Sequence, residues 1–171
     1  MEITEIVAQI LNQVPGAMLE KTLFGRSESA LYRVSNKKIE KIARALKDEA
    51  GFDWLENLSA MQMEEDLVFT YFLRNSSSSE TLILRASVPI AEKRGSTGIG
   101  GEAWVEMESL SAIWPMAIPR EEEISQLFGV RFSGETDDSE PGNTWDGFPM
   151  RKSFDVIGAS GGGIGPGGVS P

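Results

Sequence analysis

Apolar residues recur at helical spacing in two short stretches of this chain. Residues 3–11 place their isoleucines, valine and leucine on one face, and the pattern stops before Pro15, which predicts a short amphipathic helix. Residues 35–49 repeat the pattern, and Gly51 follows at the position where a helix C-cap belongs. Both ends of the first third of the chain are therefore predicted to be helical.

Strand patterns dominate the middle of the chain. Residues 67–74 and 81–88 are rich in β-branched and aromatic residues, and the serine run 75–80 between them reads as an exposed hairpin turn. Weaker patterns predict three more strands, at residues 18–24, 30–34 and 52–61. The hairpin is the firmest long-range pairing that the pattern predicts.

Two further helices are predicted before residue 130. One is a short helix over residues 107–116, and the other spans residues 120–128, opened by Pro119 and ended at Gly129. The carboxylates at 121–123 then fall in a first helical turn, where they favour the positive end of the helix dipole. The element order predicts an α+β fold, with a mostly antiparallel sheet, helices packed on one face, and an irregular C-terminal extension.

The chain divides into three regions on this pattern. Residues 1–132 form the α+β domain, residues 133–157 a partner-docking extension, and residues 158–171 a flexible Gly-rich tail. The tail contains a formal G-x-G-x-x-G spacing, but it lacks the strand and helix that a dinucleotide site requires. The acidic stretch that begins the extension lacks the glutamate of a calcium-binding EF-hand loop and is interpreted as solvated.

Composition narrows the chemistry that the chain can perform. Its 171 residues contain no cysteine and no histidine, which excludes disulfides, thiolate-held iron–sulfur clusters and histidine-based catalytic triads. A net charge of −10 argues against binding to nucleic acid or anionic lipid. No apolar run is long enough to span a bilayer, and no signal peptide is recognised, which predicts a cytoplasmic location. The basic stripe on the second predicted helix is interpreted as a solvated face, with partner docking as the alternative.

With the dinucleotide and calcium sites rejected, the sequence W-D-G-F-P-M-R-K at residues 145–152 is the motif that still indicates a functional surface. Glycine and proline predict a tight turn that displays large aromatic side chains, followed at once by two cations. We expect a partner interface here, formed by Trp145, Phe148, Pro149, Arg151 and Lys152. The alternative, which the residues alone leave equally open, is that Trp145 and Phe148 close this domain's own core.

This turn and the helix before it together resemble the signature of one protein family. The segment E-E-E-I-S-Q-L-F-G-V at 121–130 and the turn at 145–152 are similar to the C subunit of respiratory NADH:quinone oxidoreductase. The equivalent subunit of energy-converting membrane-bound [NiFe] hydrogenases shares the pattern. The matching positions are Glu121, Glu123, Leu127, Phe128, Gly129, Trp145, Gly147, Pro149, Arg151 and Lys152.

The resemblance implies a cofactor-free structural and assembly subunit of a peripheral arm, bound to the cytoplasmic side of the inner (cell) membrane through its complex. No catalytic, cofactor-binding or metal-binding residue is expected in this chain. NADH, FMN, iron–sulfur clusters and quinone would lie on partner subunits, namely the large quinone-site subunit and the cluster-bearing subunits.

The chain departs from the family pattern at three places. Glu122 stands where the family has arginine, Gln126 stands where it has aspartate, and the family's Gly-His-Pro-x-Leu-Arg-Arg stretch is replaced by an acidic loop. The alternatives are therefore the equivalent subunit of a membrane-bound hydrogenase, or a free-standing α+β adaptor. A carboxylate-based enzyme ranks last, because adjacent glutamates on a helix point in different directions.

Overall fold

The computed structural model describes residues 3–14, 16–24, 27–90, 104–133 and 147–152. In chain order the elements are α1 (Ile3–Asn12), β1 (Met18–Phe24), β2 (Ser27–Ser35), α2 (Ile39–Asp48), β3 (Trp54–Met63), β4 (Asp66–Arg74), β5 (Thr81–Pro89), β6 (Val105–Glu108), α3 (Ala117–Phe128) and β7 (Val130–Ser133). The predictions made for the acidic loop, for Trp145 and for the Gly-rich tail lie outside these residues.

Five strands form the main sheet, in the order β1-β2-β5-β4-β3. Neighbours pair antiparallel except for β2 and β5, which run parallel. A parallel pair needs a long crossover connection, which α2 and the β3–β4 hairpin supply here. The buried residues of all three helices join one hydrophobic core with the inward face of this sheet. The predicted α+β class is therefore confirmed, with one parallel pairing in a mostly antiparallel sheet.

The predicted serine-loop hairpin is confirmed as β4 and β5. Tyr71 pairs with Leu84 in the middle of the ladder, and both are fully buried on the core face. The loop is held by Asn75, whose side-chain oxygen accepts the backbone N–H groups of Ser77 and Ser78. This side chain satisfies backbone donors that a tight turn leaves unpaired, as asparagine commonly does in turns.

The predicted helix over residues 107–116 is wrong. Residues 105–108 form β6, in which buried Val105 and Met107 alternate with more exposed glutamates, and turns follow it. The strand β7, which the sequence analysis missed, pairs parallel with β6 and begins directly after Gly129. A two-residue period over only four residues is too short to stand out from helical spacing. The pairing places the C-terminal end of α3 next to this small second sheet, where the Val105 N–H donates to the Gly129 carbonyl.

Two cations of the basic stripe on α2 bind groups within this chain. Arg44 pairs with Glu40 one helical turn away at 2.8 Å, and the Lys47 ammonium donates to the Ile113 carbonyl at 2.5 Å. An exposed pair of this kind contributes only ~0–1 kcal/mol. Lys37, Lys41 and Arg44 are exposed in the chain by itself, and partner docking by the stripe stays a prediction. The Lys47 hydrogen bond, in addition, links α2 to the loop ahead of α3.

Candidate functional site

The turn at residues 147–152 folds back onto the C-terminal end of α3. The Met150 N–H donates to the Leu127 carbonyl at 3.1 Å. The Arg151 guanidinium donates from Nε to the Phe128 carbonyl at 2.7 Å and from Nη2 to the Gly129 carbonyl at 3.2 Å. The last carbonyls of a helix have no partner within the helix and carry the negative end of its dipole. Arg151 therefore caps α3 with a positive charge from a segment 22 residues later in the chain.

The contact between the turn at residues 147–152 and the C-terminal end of α3 is called a joint below. Phe148 lies inside this joint. Its ring is fully buried and meets the Trp104 ring edge-on, with centroids 4.8 Å apart. The Arg151 guanidinium lies 4.6 Å from the centre of the Phe148 ring, within range of a cation–π contact. One side chain thus packs between a tryptophan and a buried cation.

Gly129 makes the close approach of that ring possible. It ends α3 in the left-handed conformation, at φ 66°, which favours a residue without a Cβ. A Cβ at this position would stand 2.3 Å from the Phe148 ring. The Gly129 carbonyl also accepts the Val105 N–H at 2.9 Å, so it receives donors from both β6 and Arg151. The L-F-G and W-x-G-x-P-x-R-K elements of the sequence meet at this one residue.

The exposure expected for the turn is wrong for two of its side chains. Phe148 is 0% exposed and Arg151 is 4% exposed, because both are packed against this chain's own helix end. Pro149 is half-buried, and Lys152 is exposed while its backbone N–H donates to the Gln62 side chain at 2.8 Å. Trp145 lies outside the described residues. For Phe148 the structure selects the core alternative, while a partner contact by Pro149 and Lys152 stays a prediction.

Glu121 forms a second internal joint, at the other end of α3. Its carboxylate accepts the Ser109 hydroxyl at 2.6 Å and the Leu110 backbone N–H at 2.8 Å, and the residue is 2% exposed. The helix begins at Ala117, so Glu121 lies in its second turn and the interpretation based on the helix dipole is wrong for this residue. Glu121 instead pins the loop after β6 to α3. Glu123, by contrast, is exposed and pairs with Arg120 at 3.1 Å.

Tyr71 lies in the core near this carboxylate. Its phenol is fully buried, and within the described chain its hydroxyl has no hydrogen-bond partner. Burial raises the pKa of Tyr71 strongly above its ordinary value, and the negative charges of Glu121 and Glu108 raise this pKa further. The phenol is therefore held neutral in the folded protein, which makes it a structural group and unsuited to act as an acid or base near neutral pH.

Sequence reasoning missed four participants in these joints. Ser109, Leu110, Trp104 and Gln62 act through contacts with residues distant in the chain, and no local pattern marks them. Within the described ranges, no group of three acidic, histidine or cysteine side chains is arranged to hold a metal ion. Over the same ranges, no helix has the length and apolarity required to cross a membrane.

Comparisons with known proteins find sequence similarity to one family of respiratory-chain subunits. The profile of the family described as "Respiratory-chain NADH dehydrogenase, 30 Kd subunit" matches residues 32–160, which include both joints. The C subunit of NADH-quinone oxidoreductase from Moorella thermoacetica is 33% identical over 113 residues, which cover 64% of this chain and 68% of the relative. The C/D subunit of the same enzyme from Phocaeicola vulgatus is 28% identical over 113 residues, and the match spans only 20% of that longer protein.

A solved structure extends the likeness to the backbone. One polypeptide of the membrane-bound sulfane sulfur reductase, an archaeal respiratory membrane complex, superimposes with a TM-score of 0.66 at 26% identity. The alignment covers 92% of this chain and 88% of that one. Since the family profile spans well over half of the sequence and the two signature elements form one joint in the fold, this chain belongs to the 30 kDa subunit family of respiratory-chain NADH dehydrogenase.

Proposed function

We propose that this chain is a cofactor-free structural and assembly subunit of the peripheral arm of a proton-translocating NADH:quinone oxidoreductase. It docks on the large quinone-site subunit and reaches the cytoplasmic face of the membrane only through that complex. Flavin, iron–sulfur clusters and quinone are held by the partner subunits. The relatives from M. thermoacetica and P. vulgatus, both named as subunits of NADH-quinone oxidoreductase, support the assignment to such a complex.

One observation carries the non-catalytic role. The two polar signature side chains that the fold buries, Glu121 and Arg151, bond to groups of this chain itself: a serine hydroxyl and three backbone groups. A carboxylate and a guanidinium with these internal hydrogen bonds stabilise the fold around α3. Both are buried, so they are poorly placed to bind a substrate. The absence of cysteine and histidine from the sequence removes the usual ligands of clusters and redox metals.

Purification from native membranes tests the proposal. An affinity tag on this chain should recover the large quinone-site subunit and the cluster-bearing subunits in fixed ratio, and the preparation should oxidise NADH with a quinone acceptor. The chain expressed alone should contain no stoichiometric iron, zinc or flavin by elemental analysis and absorbance. Recovery of the chain as a free soluble protein would favour the adaptor alternative, and bound metal in the isolated chain would contradict the proposal.

A second candidate complex is favoured by the structural neighbour. The superimposed polypeptide belongs to an archaeal membrane complex that is a sulfane sulfur reductase, which indicates that this fold serves in more than one kind of respiratory assembly. The equivalent place in a hydrogenase-type or related complex is therefore the alternative. The electron donor and acceptor of the purified assembly decide between them: NADH oxidation supports the first, and hydrogen or sulfur chemistry without NADH supports the second.

A further inference from the structure

Two charged features of the chain have no role in the function proposed above. One is the basic stripe at the beginning of α2, and the other is the acidic stretch at residues 134–146. Four carboxylates of that stretch fall within residues 135–140: Glu135, Asp137, Asp138 and Glu140. The stretch itself lies outside the described residues, but the structure fixes the position of the residue before it, Ser133, and of the residue after it, Gly147.

Three lysines crowd the beginning of α2. Lys37 and Lys38 belong to a short 3₁₀ turn directly before the helix, and Lys41 lies in the first helical turn. Lys37 and Lys41 are exposed and about one turn apart, a spacing at which like charges repel each other. Glu40, the carboxylate of this first turn, already pairs with Arg44 at 2.8 Å. This lysine cluster is therefore a positive surface, on a chain whose net charge is −10.

The small second sheet brings the beginning of the acidic stretch to the lysine cluster. β7 ends at Ser133, which pairs with Glu108 in the parallel ladder, so the two backbones lie ~4.8 Å apart there. The Glu108 carboxylate accepts the backbone N–H of Glu40, in the first turn of α2, at 3.1 Å. β6 also contacts the 3₁₀ turn that contains Lys37 and Lys38. The acidic stretch thus leaves the fold beside the lysine-bearing end of α2.

The stretch is longer than its return path requires. It ends at Gly147, next to Phe148, whose ring lies against Gly129. From Gly129 the strand β7 carries the chain only ~13 Å to Ser133. Residues 134–146, fully extended, can span up to ~45 Å. The surplus is sufficient for the carboxylates to reach Lys41, one helical turn further along, and for the chain to return to Gly147.

We propose that residues 134–146 bind the lysine cluster of their own chain, with the carboxylates at 135–140 paired to Lys37, Lys38 and Lys41. Opposite charges that one chain holds side by side bind at a high effective concentration, without the cost of bringing two molecules together. Each exposed pair is weak, so the attachment depends on several pairs acting together and weakens with salt. It does not depend on the proposed function. It adds that the basic stripe is covered by this chain itself and is closed to a partner subunit.

Carbodiimide cross-linking of the isolated full chain tests this attachment, because the reagent joins a lysine to a carboxylate in direct contact with it. Peptide mass spectrometry should find links from Lys37, Lys38 or Lys41 to carboxylates at 135–140 in low salt. In about 1 M salt, where exposed charges are screened, these links should fall at least about fivefold. Absence of the links in low salt would overturn the proposal.

Isotope mixing distinguishes the chain's own acidic stretch from that of a second copy. Unlabelled and ¹⁵N-labelled chains are mixed before cross-linking. Links within one chain join peptides of the same isotope only, which is the expected result. Links between peptides of different isotope would assign the lysine cluster to a second copy of this chain and would overturn the proposal.

Lysine acetylation gives an independent readout. A paired lysine reacts slowly with an acetylating reagent, because pairing favours the charged, unreactive ammonium. In the variant Asp137→Asn/Asp138→Asn, we expect Lys37 and Lys41 to be acetylated at least about twofold faster than in the parent chain. The exposed Lys152, measured in the same samples, should react at an unchanged rate.

A matched variant controls for the change in net charge. Glu64→Gln/Glu65→Gln also removes two adjacent exposed carboxylates, at the tip of the β3–β4 hairpin. It should leave the acetylation of the lysine cluster unchanged. Equal acceleration in the two variants would show a general charge effect and would contradict the proposal.

The competing occupant is an acidic surface of a neighbouring subunit. Cross-linking of the purified complex should give the same links within the chain. Links from the lysine cluster to a carboxylate of another subunit, in place of those to 135–140, would overturn the proposal and make the stripe a subunit contact. If no complex is recovered, the proposed function fails, while the isolated chain still decides this attachment.

Discussion

The ring of Phe148 fills the space that a Cβ on Gly129 would occupy, with 2.3 Å between that Cβ and the nearest ring carbon. Two signature elements that are separated along the chain therefore depend on each other sterically. The glycine admits the ring, and the ring and Arg151 close the end of α3. Their joint presence in the sequence reflects one packing arrangement inside this chain.

Gly129→Ala tests this relationship directly. The substitution adds strain at a positive φ and a clash with a buried ring, so we expect a loss of about 2–4 kcal/mol in the free energy of unfolding. Gly16→Ala is the matched control, because Gly16 also has a positive φ, 86°, but has nothing within 4 Å of the added Cβ. Denaturant melts should show about 1 kcal/mol for the control. Equal losses in the two variants would show that the Phe148 contact is not the cause.

Arg151→Ala should destabilise the isolated chain. The change removes charge-assisted bonds to two helix-end carbonyls and a buried contact with Phe148, for which we expect about 2–4 kcal/mol. Lys152→Ala, at the adjacent exposed position, should change stability by less than about 0.5 kcal/mol. Thermal and urea denaturation of the two variants give the comparison. Equal stability of the Arg151→Ala and Lys152→Ala proteins would contradict a stabilising role for these bonds.

Glu121→Ala should be costly where Glu123→Ala is not. Glu121 is buried and accepts two hydrogen bonds, so its removal strands the Ser109 hydroxyl and the Leu110 N–H at a cost of about 2–4 kcal/mol. Glu121→Gln keeps one acceptor and should cost roughly half as much. Glu123 makes only an exposed pair with Arg120, worth ~0–1 kcal/mol. Similar losses at the two glutamates would argue against the buried joint.

Tyr71→Phe should leave the protein equally stable or make it more stable at neutral pH. The hydroxyl is buried without a partner in the described chain, and removing such a group relieves about 1–2 kcal/mol of desolvation. Calorimetry of the variant and the parent protein at pH 7 measures this difference. A marked loss of stability would reveal a hydrogen bond to the phenol.

The same substitution should alter alkaline stability. The folded pKa of Tyr71 is raised above its ordinary value of 10.0, so the unfolded state loses the phenol proton first as pH rises. The unfolded state then binds fewer protons, and the stability falls above about pH 10. Tyr71→Phe should reduce this fall, while Tyr32→Phe, whose pKa is also raised by burial, should reduce it less because that phenol is less deeply buried. Parallel falls in all three proteins would contradict the assignment.

The local patterns of the sequence were sufficient for the elements that they predicted most strongly. Residues 67–74 and 81–88 form the predicted hairpin, and the helix predicted at 120–128 lies within α3. Eight positions rich in β-branched and aromatic residues and a glycine at a helix end are signals that neighbouring residues carry by themselves. The same signals failed at β6 and β7, where four residues give too few repeats.

Composition and sequence pattern by themselves determined the α+β class, the hairpin and the lack of thiol or imidazole chemistry, because these follow from residue type and local spacing. Only the tertiary structure decided the parallel pairing of β2 with β5 and the burial of Glu121, Phe148 and Arg151. A charged side chain is buried only where distant segments supply its hydrogen bonds, as Ser109 does for Glu121 and the end of α3 does for Arg151. Those partners are set by packing between segments far apart in the chain, which no local pattern records.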